Sequence, residues 1–171
     1  MRKEKEIRME GIFTLSGMKF FSIYGLVALI LAFIPNIVFA KKTHQAKLDD
    51  IDTCGFAVCM IEMICHLILI GAIVLIRMPL MHYSFAIIAV IVLLLYYVVW
   101  IRYYKEGAYY PEIYTENFLG IPVPMATFSV AYYVLVSAWL GNLIALCAAL
   151  IYGTCHIANA MAGKKDLKCR L

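Results

Sequence analysis

The chain contains 171 residues, of which 64% are hydrophobic and 15% are charged, and its formal net charge is +4. Its mean hydropathy of +0.86 excludes an ordinary soluble domain. The Lys and Arg residues lie between and outside long apolar blocks, which suits contact with anionic lipid headgroups and gives no indication of nucleic-acid binding. The composition therefore predicts a membrane protein whose first partner is the lipid bilayer.

The N-terminal part predicts a charged segment followed by a first membrane helix. Residues 1–19 alternate basic and acidic side chains, which suits a short amphipathic helix at the membrane interface or a solvated segment. Residues 20–40 are apolar and long enough to span, so we interpret them as a retained helix and not as a cleaved secretory signal. Pro35 frees backbone carbonyls near the end of this helix, and Asn36 beside it can donate to one of them.

Two further spans are predicted at residues 54–76 and 80–101, joined by a short turn. The first of these contains Glu62, the only formally charged residue inside any predicted span. The second ends in a cluster of Tyr and Trp side chains around Trp100, which continues into the polar connection at residues 102–116. We interpret this cluster as an aromatic belt at the membrane interface, with a ligand-gripping loop as the alternative.

The uncharged stretch at residues 117–163 predicts the last two helices. As one straight helix it would measure about 70 Å at ~1.5 Å per residue, whereas the hydrocarbon core of a bilayer is only ~30 Å thick. The chain must therefore fold back, and residues 140–142 carry turn-forming Gly and Asn. We expect a fourth helix from Pro122 and a fifth at 143–162, joined by a tight hairpin and followed by a basic tail at 164–171.

These elements predict a single all-α membrane domain over residues 1–171, with a five-helix transmembrane bundle at 20–163 and chain ends on opposite sides. The expected location is multi-pass in the plasma or inner membrane. Four of the six Cys residues lie inside apolar spans, where Cys behaves as a small hydrophobe, so the sequence does not indicate a disulfide framework.

A few polar side chains are predicted to meet near one end of this bundle. At ~1.5 Å per residue, Glu62 and His156 lie about 12 Å and 10 Å from the same end of their helices. A charged residue in a membrane span normally faces protein or a water-filled cavity and is a functional candidate. Helical spacing places His66 on the same face as Glu62, and Tyr152 and Asn159 on the same face as His156. Asn36, on the first predicted helix, belongs to the same end of the bundle. The predicted ligand-binding residues are Asn36, Glu62, His66, Tyr152, His156 and Asn159.

Three interpretations of this cluster remain open from sequence. The first is a cavity near Glu62 and His156 that binds or translocates a small or lipidic ligand. The second is a metal or redox enzyme, since Glu62, His66 and His156 offer the carboxylate and imidazoles that suit zinc or non-haem iron. A haem held by His66 and His156 is weaker, because the two differ in depth by roughly 8 Å. No cofactor is predicted outright.

The third interpretation is a non-catalytic accessory subunit, in which Glu62 only ties helices together. Its small size suits a place in a larger membrane complex or in a homo-oligomer.

Overall fold

The computed structural model describes residues 19–42, 54–107 and 117–170. The predicted interfacial segment lies outside these ranges except for Lys19, and so does the second half of the predicted connection at 102–116. The described elements are β1 (Lys19–Phe20), α1 (Ile23–Lys42), α2 (Phe56–Leu75), β2 (Ile76–Arg77), α3 (Tyr83–Lys105), α4 (Pro124–Trp139) and α5 (Leu143–Arg170). Five of these seven elements are helices and each of the two strands has only two residues, which confirms the predicted all-α class.

Four of these helices are long and apolar enough to cross a membrane: Ile23–Ala40 of α1, Phe56–Leu75, Tyr83–Lys105 and Leu143–Cys169 of α5. Only 17% to 28% of the residues in each of these spans are buried within the protein, so their remaining apolar surface is available to lipid. At ~1.5 Å per residue, the 16 residues of α4 extend about 24 Å, short of the ~30 Å hydrocarbon core. Length and composition therefore support four membrane-spanning helices.

The C-terminal helix continues beyond its predicted end at Ala162. α5 runs to Arg170, so the basic residues predicted as a tail lie on its last turns. This part of the helix packs against the rest of the protein. Leu167 is buried, and Lys164 Nζ donates to Asn117 Oδ1 at 2.6 Å and to the backbone carbonyl of Pro122. These contacts hold the last part of α5 against the segment that precedes α4.

The helices pack in the order α2, α5, α4 and α3, with α5 between α2 and α4. α1 packs more loosely and is joined to α3 and α4 by Tyr hydroxyls that donate to its backbone carbonyls. Pro35 has no N–H, so the carbonyl of Leu31 lacks its usual helical partner, and Tyr97 Oη donates to it at 2.7 Å. Similar bonds run from Tyr104 to Pro35 at 2.8 Å and from Tyr132 to Ala28 at 2.9 Å.

One end of the bundle brings the short connections together, and we call it the turn end. It contains β1, β2 and the residues that follow α2 and α4. β1 and β2 pair antiparallel, and the backbone N–H of Met81 donates to the carbonyl of Trp139 at 2.8 Å. Gly141 has a φ of 60°, and a Cβ there would lie 2.7 Å from the carbonyl oxygen of Pro79. The two connections are therefore in direct backbone contact.

Candidate functional site

A cavity of about 470 Å³ lies inside the opposite end of the bundle, which we call the polar end. All five helices contribute to its wall. Five of the six predicted ligand-binding residues line it: Asn36, Glu62, His66, Tyr152 and His156.

The centre of the polar cluster is the carboxyl group of Glu62 on α2. His156 Nδ1, on α5, lies 2.7 Å from Glu62 Oε1, and Asn159 Nδ2 donates to Glu62 Oε2. Asn159 Oδ1 in turn accepts from the backbone N–H of Cys54 at 3.1 Å. The helical spacing of three residues places both α5 side chains opposite one carboxyl group. Glu62 and His156, which were predicted to lie at similar depths, are therefore in direct contact. The sixth predicted residue, Asn159, does not line the cavity but donates to the carboxyl group of Glu62, which does.

The two imidazoles belong to an aromatic stack along one wall of the cavity. The ring of Tyr152 stacks on His156 with centroids 5.0 Å apart and on His66 with centroids 4.5 Å apart. On α1, the ring of Phe33 lies parallel to that of His66 at 6.3 Å. His66 Nε2 is buried and has no hydrogen-bond partner among the described residues. It is therefore one of the few buried polar atoms in the described residues that lack a partner.

Asn36 joins α1 to the aromatic side of the cavity. Its Nδ2 donates to the carbonyl of Ala32 and to Tyr96 Oη, at 3.2 Å in each case. Asn36 thus bonds a backbone carbonyl, but not the carbonyl that Pro35 leaves without its helical donor, which is that of Leu31 and accepts from Tyr97.

The predicted metal site brings together two of its three donors. Within the described residues, no group of three or more His, Cys, Asp and Glu side chains is arranged to hold a metal ion. Glu62 and His156 meet, whereas His66 is engaged through its ring face with Tyr152. The haem alternative has similar difficulty, because both imidazoles stack on that phenol ring instead of presenting nitrogens to a shared iron.

Sequence reasoning missed most of the aromatic cavity wall. Tyr96, Trp100 and Tyr103 are 3%, 5% and 0% exposed, so the interfacial-belt interpretation is wrong for these three rings. Tyr96 and Trp100 line the cavity together with Phe33, Phe39 and Tyr133. The available signal was the spacing of four and then three residues along α3, which places the three α3 rings on one helix face.

Comparison of the chain with protein-family models, with curated proteins and with solved structures finds no significant match. The functional argument therefore rests on the geometry of the cavity and of its polar cluster.

Proposed function

We propose that this protein is a multi-pass membrane protein with five transmembrane helices that binds or translocates a small or lipidic ligand through the cavity at the polar end, near Glu62 and His156. The observation that carries the proposal is the coincidence of the cavity with the only charged residue of the predicted spans, Glu62. Such residues in membrane segments usually mark ligand or ion pathways.

The contacts at the two ends of the bundle support the crossing of α4 as the fifth span. The segment before α4 is bound to Lys164 near the end of α5, at the polar end. The last residue of α4, Trp139, is bound to Met81 at the turn end. α4 therefore extends from the polar end to the turn end between α3 and α5, and residues 140–142 form the tight hairpin that joins it to α5. Because α4 has many buried residues, its shorter length can be accommodated within the protein.

The architecture of the wall supports a binding role over a purely structural one for Glu62. A side chain that only ties α2 to α5 would require no cavity beside it. Here the same carboxyl group that bonds His156 and Asn159 also lines a space of about 470 Å³, within the size range of small-molecule sites. α1 forms one wall of this space through Phe33, Asn36 and Phe39.

Occupancy of the cavity is tested by filling it. Ala160 lines the cavity on α5, and Ala160→Phe would place a ring inside it. Ala57 is exposed on α2, and Ala57→Phe adds the same ring on the lipid-facing surface as a matched control. We expect native mass spectrometry of protein released from nanodiscs to detect a small-molecule adduct on the wild type and on Ala57→Phe, and none on Ala160→Phe.

An equal adduct on all three proteins, or no adduct on any of them, would contradict ligand binding in this cavity. Detection of a stoichiometric metal or haem in the same spectra would favour the redox alternative. Retention of a larger protein partner without any small-molecule adduct would favour an accessory subunit.

A further inference from the structure

The charge balance of the cavity wall identifies the class of ligand it suits. Among the described residues that line the cavity, Glu62 is the one carboxylate and none is Lys or Arg. The nearby Lys164 is bound to Asn117 and to the carbonyl of Pro122, outside the lining. The imidazoles of His66 and His156 add no charge while they are neutral. With Glu62 ionised and both imidazoles neutral, the wall carries one negative charge, which repels anions and attracts cations.

The apolar part of the wall is strongly aromatic. Phe, Tyr and Trp rings carry electron-rich faces that attract a cation within about 6 Å of the ring centroid. Such rings replace part of the water that a cation loses when it enters a membrane protein. Six rings line the cavity: Phe33, Phe39, Tyr96, Trp100, Tyr133 and Tyr152. The ring of Tyr152 is already stacked on both imidazoles, so the other five rings are the ones proposed to contact the cation.

Hydrophobicity alone gives a ligand no reason to leave the bilayer for this cavity, because lipid chains are as apolar as a Leu side chain. A second groove, of about 500 Å³, shows the contrast. It lies between α1, α3 and α4, and its described lining contains no charged side chain. Of these two spaces, the cavity at the polar end is the one that combines aromatic rings with a carboxylate, so a charged ligand gains a specific interaction there.

From this combination we propose that the ligand of the cavity is a hydrophobic organic ammonium cation, held by the carboxylate of Glu62 and by the surrounding ring faces. The assignment rests on the proposed ligand-binding function and adds the chemical class of the ligand. Asn159 and His156 hold the carboxylate in place through one hydrogen bond to each oxygen. Because a carboxylate has about four lone-pair sites, each oxygen keeps the capacity to interact with a ligand.

The chain offers a built-in reporter for this interaction. It contains two Trp residues, Trp100 in the cavity wall and Trp139 at the turn end. Trp139 Nε1 has no hydrogen-bond partner among the described residues, so Trp139→Phe removes no such bond. In this background, with excitation at a wavelength that Tyr does not absorb and nanodiscs built from a scaffold protein without Trp, emission comes from Trp100 and reports on the cavity.

The experiment titrates nanodiscs containing the Trp139→Phe protein with phenyltrimethylammonium and with tert-butylbenzene, its neutral isostere. Concentrations are referred to the probe present in the lipid phase. We expect the cation to change Trp100 emission at a concentration about tenfold lower than the neutral probe. Added Glu62→Gln should raise the half-saturating concentration of the cation about tenfold and leave that of tert-butylbenzene unchanged. Benzenesulfonate should produce no saturable change.

Two controls separate the failure of this inference from the failure of ligand binding itself. If Ala160→Phe abolishes the response to both probes but the cation shows no preference, the cavity binds ligands and the cation assignment is wrong. If Ala160→Phe leaves both responses as they are in Ala57→Phe, the probes do not bind in the cavity and both proposals fail. An equal weakening of the two probes by Glu62→Gln would also overturn the assignment, since it would show a general change in shape.

Discussion

Glu62 and Asn142 lie at opposite ends of the bundle, and each makes several of the hydrogen bonds between helices at its end. Glu62 concentrates the polar contacts around the cavity, where one side chain from α2 engages two from α5. Asn142 concentrates the contacts at the turn end. It is buried, its Oδ1 accepts from the backbone N–H of Ala145 at 3.0 Å, and its Nδ2 donates to the carbonyls of Ala72 and Ile76 at 2.8 Å and 3.3 Å. Asn142 thus caps the N-terminus of α5 and donates hydrogen bonds to carbonyl groups at the C-terminal end of α2.

Asn142→Ala should destabilise the fold by about 1 to 3 kcal/mol, because it removes the side-chain cap of α5 and the hydrogen bonds that Asn142 Nδ2 donates to the carbonyls of Ala72 and Ile76. Asn142→Ser should be intermediate, since its hydroxyl can still cap α5. Asn142→Asp should be at least as harmful as Ala, because it keeps the cap but directs a carboxylate at two carbonyl oxygens. Thermal unfolding in one detergent measures the series. Equal stability of the Ala variant and the wild type would refute the bridging role.

At the scale of elements, the loosely packed α1 touches α2 closely at one point. A Cβ on Gly25 of α1 would lie 2.0 Å from the backbone oxygen of Ile73 on α2. Backbone cannot move aside without displacing a helix. We therefore expect Gly25→Ala to lower the free energy of unfolding by about 1 to 3 kcal/mol.

Gly71 on α2 is the matched control, since a Cβ there meets nothing within 4 Å. Gly71→Ala should be neutral or stabilise the protein by up to about 1 kcal/mol through helix propensity. Unfolding of the two variants in the same detergent gives the comparison. The close approach of α1 and α2 would be contradicted if both substitutions had the same effect.

The helices and the polar cluster were accessible from sequence for a common physical reason. In segments this apolar, a residue such as Glu62 or His156 stands out, and the helical rise alone gives its depth. It is harder to predict from sequence whether a side chain on a helix faces protein or lipid. A Tyr or Trp such as Trp100 suits both the membrane interface and a protein interior, so the sequence places Tyr96, Trp100 and Tyr103 at the interface although they are buried. The end of α5 was missed because Lys164 resembles a solvated tail residue until its partners before α4 are known.

At the scale of the whole molecule, the two ends differ in design. Backbone contacts between connections dominate the turn end, whereas side-chain hydrogen bonds and ring stacks surround a cavity at the polar end. Such an arrangement is suited to a bundle that is fixed at one end and has room for a ligand at the other. The proposed five-span topology requires that α4 and α5 cross the membrane in opposite directions, and this can be measured directly.

The five-span topology predicts which parts of the chain share a side of the membrane. In a background with all six Cys residues replaced, single reporters are placed by Ser16→Cys, Lys47→Cys and Met78→Cys, and by restoring Cys169. A membrane-impermeant maleimide added to sealed, oriented vesicles should label positions 47 and 169 from one side and positions 16 and 78 from the other. If α4 does not cross, position 169 moves to the side of positions 16 and 78, because α5 then crosses alone from the connection after α3. Permeabilised vesicles, in which all four positions should react, control for burial of the thiols.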